Sequence, residues 1–152
     1  MNESKIKDFL NSWTKGVIEI GKAHEEQKNF TEVAINFLNH HYAFEEDDVM
    51  FKPTFTSIRL FRNNFDEALS YFIAGENRAC QEDKGFAIQP WTKVRFENTG
   101  MILENDRAIA MGNYFFTDTE GNEAKVEYTF GYKLIDGNLR IDLHHSSFPF
   151  NP

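Results

Sequence analysis

Between residues 6 and 23 the apolar side chains Ile6, Phe9, Leu10, Trp13, Val17, Ile20 and Ala23 recur at steps of three and four. That spacing makes one stripe on a helix and predicts helix over 4–27. The next apolar set, Val33, Ala34, Phe37, Leu38 and His41 or Tyr42, follows Asn29 and Glu32, whose separation is that of a capping box, so a second helix is predicted over 30–42. Asn64 and Glu67 repeat the spacing around Phe65, Ala68, Leu69 and Phe72, and a third helix should stop near Gly75. Between the second and third helices, "VMF" before Lys52 and Pro53 reads as a short strand whose pairing ends at the proline. The polar stretch "ENRACQEDKG" after the third helix reads as a loop.

Beyond Pro90 the period shortens to two. Val94 and Phe96 alternate with polar neighbours, and apolar or β-branched runs cover 107–117, 123–135 and 138–147. Helices first and antiparallel strands after predict an α+β domain over 1–152, with three N-terminal helices packed on a curved antiparallel sheet. Asp136 and Gly137 suit the positive φ angles of a two-residue turn. With that turn, Tyr132 lies opposite Ile141, Phe130 opposite Leu143 and Tyr128 opposite His145. One face then gathers Tyr132, Ile141, Phe130, Leu143, Tyr128 and His145, and the other gathers Arg140, Asp142, Thr129, His144 and Glu127. If Thr117 opposes Glu123, Tyr114 and Gly112 join the first face.

Composition sharpens this picture at one point. Sixteen Phe, five Tyr and two Trp make 15% of the chain aromatic, enough to build a core or cavity wall from rings. The 24 acidic and 16 basic residues give a net charge of −8 without any Lys/Arg block, so nucleic acid is not expected as a partner. No apolar run approaches the roughly 18 residues that span a bilayer. The start lacks the pattern of a secretory signal, so a cytoplasmic protein without membrane contact is expected. One cysteine, Cys80, leaves no internal disulfide and no multi-cysteine zinc site.

Two histidine pairs invite a metal reading, and neither supports it. His144 and His145, adjacent on a strand, point to opposite faces, and His40 and His41 sit about 100° apart around a helix, where zinc ligands stand three or four residues apart. The acidic run at 45–48 lacks the alternating oxygens and central glycine of a calcium loop. No metal and no cofactor are expected. The candidate ligand-binding residues are Tyr114, Tyr128, Phe130 and His145 on the apolar concave face, with Trp91 either capping the mouth or anchoring the loop before the strands. His145 would exchange a proton near neutral pH beside the Tyr128 hydroxyl, so these two are the candidate catalytic residues. Arg140, Asp142, His144 and Glu127 on the outer face are the candidate interface of a homodimer or higher homo-oligomer.

The order of these elements, with "MFKPTF" after the second helix, "FDEALSYF" on the third, Tyr114 to Asp118 before the hairpin loop and "KLIDGNLRIDLHHSSFP" at the end, resembles the nuclear transport factor 2-like superfamily. That superfamily includes ketosteroid isomerase and the SnoaL polyketide cyclases. Within it the likeness runs to the association domain of calcium/calmodulin-dependent protein kinase II and its stand-alone bacterial relatives. The resemblance implies a cone whose sheet encloses a deep pocket covered by the helices, with Lys52 and Arg59 flanking a segment that crosses the entrance. The kinase domain's pocket arginines fall at about Gly112, Phe130 and His145, none of them arginine, so binding of an acidic peptide in that manner is not implied. The expected function is binding of a small apolar or aromatic molecule in the concave pocket, with isomerase, cyclase or hydrolase-type acid/base chemistry. The alternative is a non-catalytic oligomerisation or binding module.

Overall fold

Asn2, Asn29 and Asn64 open the three helices, each side chain accepting a hydrogen bond from the amide three residues on. In the computed structural model, which describes residues 1–152, these helices are α1 (Glu3–Glu25), α2 (Phe30–His41) and α3 (Phe65–Ile73). The strands are β1 (Met50–Lys52), β2 (Lys93–Leu103), β3 (Arg107–Thr117), β4 (Glu123–Ile135) and β5 (Asn138–Ser147). They form one sheet in the order β1-β5-β4-β3-β2. Its apolar face and the inward stripes of the helices enclose the core expected of an α+β cone, with Trp13 of α1 against Phe37, Phe116 and Phe130. No helix is long and apolar enough to cross a membrane.

The sheet is mixed rather than wholly antiparallel, because β1 runs parallel to β5. A three-residue strand carries no directional signal of its own, and its pairing emerges only when the long connection returns it to the sheet. A short 3-10 turn, Phe86–Ile88, lies unannounced after the polar loop and packs closely on α1: a Cβ added at Gly21 would sit 2.9 Å from the Ala87 carbonyl oxygen.

The β4–β5 hairpin decides the rest. Asp136 and Gly137 adopt φ of 50° and 82°, and the pairing runs as expected as far as Tyr132 opposite Ile141. There the register shifts, since Gly131 pairs with Leu143 and Asp142 is left as the extra residue of a bulge. Every later residue of β5 is displaced by one, so Phe130 faces His144, Thr129 faces His145 and Tyr128 faces Ser146. A one-residue slip exchanges the two faces of a strand. His144 and Ser146 therefore turn inward and are buried, while His145 turns outward and is exposed. Gly131 makes room for the bulge, as a Cβ there would lie 2.8 Å from Leu143 Cβ, and Arg107 pins it by donating to Asp142 Oδ2 at 2.6 Å.

Candidate functional site

Residues 53–62 form a strap over the inner end of β5. Its ends are drawn together by β1, where the Arg62 amide donates to the Phe51 carbonyl at 2.6 Å and the Phe51 amide donates to Asn63 Oδ1 at 2.9 Å. The Arg62 guanidinium is wholly buried and donates to both carboxylate oxygens of buried Asp83, at 2.7 and 2.8 Å. Ser70 of α3 donates to the same carboxylate at 2.6 Å. On the preceding residue, Glu82, burial pushes the pKa up, but the amides of Arg59, Ser57 and Ile58 outweigh it and hold the carboxyl at about 2. The strap is thereby tied to α3 and to the 78–85 loop, which fixes Thr54 of the strap relative to Tyr71 of α3.

Beneath the strap lies a small cavity. Phe51, Phe72, Phe86, Phe116 and Trp13 supply its apolar wall, and Thr54, Tyr71, Tyr114, His144 and Ser146 its polar atoms. Ser146 Oγ accepts from the Tyr114 hydroxyl at 2.5 Å and lies 2.5 Å from Thr54 Oγ1. The Tyr114 hydroxyl is also 3.1 Å from His144 Nε2, and His144 Nδ1 is 2.9 Å from the Tyr42 hydroxyl. Phe51 stacks on the His144 ring at 4.8 Å between centroids. The Tyr71 hydroxyl accepts from the Phe55 amide at 3.3 Å. The free volume open to a water's centre is about 10 Å³, room for roughly one water. Thr54, Tyr71 and Phe86 also line an open hollow of about 490 Å³ beyond the strap, with Ser57, Lys84 and Gln89 on its rim.

Burial, joined by the charge of adjacent His145, lowers the His144 pKa to about 3, and burial raises those of Tyr71 and Tyr114. At neutral pH the cavity thus holds a neutral imidazole and protonated hydroxyls. His41, on the far side of α2, is lowered to about 4, chiefly by burial and against the pull of the Phe37 carbonyl. Both imidazoles titrate below the ordinary value of 6.5, so as the pH falls the unfolded chain takes up protons first and their contribution to stability is lost. The thermal midpoint should therefore fall as pH drops from about 6.5 towards 4, with no contribution from these groups above 7. His41→Gln should flatten that slope, and an unchanged slope would count against the assignment.

The residues singled out from sequence divide. Tyr114 lines the cavity. Phe130 is buried against the His144 ring at 4.2 Å but lies behind the lining. Tyr128 turns away and donates to Asn98 at the other end of the cone. Trp91 donates to the Phe86 carbonyl at 2.9 Å and anchors its loop. The placement of His145 on the concave face is corrected: the bulge puts it on the outer surface and sends His144, expected outside, into the cavity. Of the other residues expected at an interface, Arg140 donates to the His40 carbonyl and pairs with Glu46, Asp142 pairs with Arg107, and Glu127 is exposed. Thr54, Tyr71 and Ser146 were missed. A signal was present in Gly131, since a lone glycine inside a strand marks a bulge or a close approach. No three His, Cys, Asp or Glu side chains come together in a set able to hold a metal ion.

Helices over a curved sheet, with polar groups gathered at one end, are the architecture of the nuclear transport factor 2-like fold. Solved structures of that class share the fold at low identity. A calcium/calmodulin-dependent protein kinase II association domain from Xanthomonas campestris is 18% identical over 100% of this chain and 91% of its own, with a TM-score of 0.69. A nuclear transport factor 2-like protein from Shewanella oneidensis is 18% identical over 97% of this chain and 99% of its own, with a TM-score of 0.59. Two findings go further. The model of the metal-independent carbonic anhydrase family matches residues 4–148, and a metal-independent carbonic anhydrase from Nostoc sp. is 32% identical over 99% of this chain and 75% of its own length. The protein belongs to the metal-independent carbonic anhydrase family. The crystal structure of a cyanobacterial iota-carbonic anhydrase complexed with bicarbonate superposes with a TM-score of 0.95, at 31% identity over 100% of this chain and 94% of that one.

Family membership corrects the expected function. A general binder of apolar or aromatic molecules, an isomerase or cyclase, and a non-catalytic assembly module all give way to a family with one specific reaction.

Proposed function

We propose that this protein interconverts carbon dioxide and bicarbonate where the cavity beneath the strap meets the open hollow beyond it, at Thr54 and Tyr71. The observation that carries the reading is the row of hydroxyls Tyr114, Ser146 and Thr54 inside a ring of aromatic side chains. Carbon dioxide has no net dipole and suits the aromatic wall, whereas bicarbonate is a flat oxyanion whose oxygens accept hydrogen bonds from Thr54 and Tyr71. Tyr71 already accepts from the Phe55 amide, so its own proton is free to be donated. Entry and exit run through the hollow beside Thr54 and Tyr71.

In hydration, the oxygen of a water molecule bonds to the carbon while one C–O π pair moves onto oxygen. A hydroxyl accepts one water proton and passes its own to that oxygen. Carbonic acid results, and it ionises to bicarbonate and a proton on reaching solvent. Ser146 and Thr54, within 2.5 Å of each other, are placed for this exchange. The aromatic wall keeps the donors in a low-dielectric site, where their stabilisation of developing oxygen charge is greatest.

No cavity group titrates near neutrality, since His144 lies at about 3 and the tyrosines are pushed upward. kcat/KM for hydration should therefore be flat between about pH 5 and 9. Stopped-flow indicator assays on chelator-treated protein test the proposal. Catalysed hydration that survives chelation and shows no inflection in that range is expected. A rate equal to the uncatalysed one overturns the function, and an inflection near neutrality overturns the proton route.

A further inference from the structure

The polar groups around His144 form one chain whose direction is set at its buried end. The Trp13 indole has a donor and no acceptor, and it donates to the Tyr42 oxygen at 3.2 Å. Tyr42 is fully buried, and its other hydrogen-bond partner is His144 Nδ1, at 2.9 Å. Once its oxygen is taken by the indole, the Tyr42 proton has Nδ1 as its acceptor. A neutral imidazole carries a single N–H, so with Nδ1 accepting, the proton resides on Nε2. Nε2–H then donates to the Tyr114 oxygen at 3.1 Å, Tyr114 donates to Ser146 Oγ at 2.5 Å, and the Ser146 proton is left to meet Thr54 Oγ1 at 2.5 Å. The proton left unengaged at the far end belongs to Thr54, which borders the cavity and the hollow outside it.

We infer that Tyr42, oriented by Trp13, is a positioning residue that holds His144 as its Nε2–H tautomer and so directs the hydroxyl protons of Tyr114, Ser146 and Thr54 toward the substrate. The opposite tautomer is disfavoured on two counts. Its Nδ1–H would be directed at the Tyr42 oxygen, leaving the Tyr42 proton buried without an acceptor, a costly arrangement. Its bare Nε2 would draw the Tyr114 proton away from Ser146 and reverse the chain. Phe51, stacked on one side of the imidazole, and Phe130, 4.2 Å from it, keep the ring from turning over to exchange its nitrogens.

The consequence for turnover rests on the carbonic anhydrase reading, whereas the tautomer does not. Both are measured on the intact protein. Long-range proton–nitrogen spectra of protein labelled with 15N in histidine report which His144 nitrogen carries hydrogen, without substrate. Wild-type protein is expected to show a protonated Nε2 and a bare Nδ1 at both pH 6 and pH 8. In Tyr42→Phe the Nδ1–H form should become populated, and kcat should fall at least about tenfold with KM changed less than about twofold. Trp13→Phe retains the Tyr42 hydroxyl and removes only the donor that directs it. It should also mix the tautomers, and it decides the matter if Tyr42→Phe fails to fold. Wild-type His144 protonated on Nδ1, or folded variants that keep a pure Nε2–H form and wild-type kcat, would overturn the inference. Should wild-type protein fail to hydrate carbon dioxide, the function falls, and the spectra of the three proteins still decide the tautomer.

Discussion

Ser146→Ala is expected to lower kcat/KM for carbon dioxide hydration by about 10²–10³-fold, the effect of removing one donor from a desolvated oxyanion site. Its Oγ lies within 2.5 Å of both Tyr114 and Thr54, so its loss breaks the row of hydroxyls at the middle and leaves the Tyr114 proton without its acceptor. Thr54→Val, which keeps the shape and removes the hydroxyl, should show a loss of the same order, carried mostly by kcat. Stopped-flow hydration assays with unfolding curves on the same samples make the check. A Ser146→Ala variant within about threefold of wild type, folded to the same stability, would move the chemistry to another group.

The largest stability effect is expected at Asp83. Both of its oxygens accept from the wholly buried Arg62 and one from Ser70, so Asp83→Ala leaves a guanidinium inside the protein with Glu82, at 3.7 Å, as its remaining carboxylate. Removing one partner of a buried pair costs about 3–5 kcal/mol. For a chain of this size that corresponds to a fall of roughly 6–20 °C in the thermal midpoint. The double variant Arg62→Met/Asp83→Leu should recover much of the loss, because no charge is then left unpaired. Cys80 offers a local readout. It is buried, and its amide donates to Ser70 Oγ at 3.2 Å, so loosening of the 78–85 loop should expose the thiol to labelling well below the global transition. Unchanged stability and labelling in Asp83→Ala would show that the pair does not hold the strap.

Much of the fold was legible because its elements are written in local periodicity. The α1 stripe from Ile6 to Ala23, the caps at Asn29 and Asn64 and the Asp136-Gly137 turn depend on residues only a few positions apart, and the structure places all of them within a residue or two of expectation. The site was less legible, since its polar atoms come from four separate segments. Trp13 and Tyr42 reach His144 from α1 and the end of α2. Thr54 comes from a strap whose position depends on a buried ion pair within what read as a polar loop. Lone hydroxyl residues such as Thr54, Tyr71 and Ser146 have no spacing signature, and they acquire meaning only when an aromatic wall excludes water around them.

What the amino-acid order settles in this protein is the kind of fold: three capped helices, then long strands joined by tight turns, with enough aromatic residues to line an enclosed end. Hydrophobic period and turn chemistry are short-range properties and survive reading one residue at a time. Which histidine enters the cavity is settled differently. Gly131 and Asp142 accommodate a single extra residue in β5, Arg107 holds it from β3, and that one bulge turns His144 and Ser146 inward and His145 out. The sheet alternates with a period of two, so a displacement of one residue inverts every side chain beyond it. Only contacts between strands distant in sequence set that displacement.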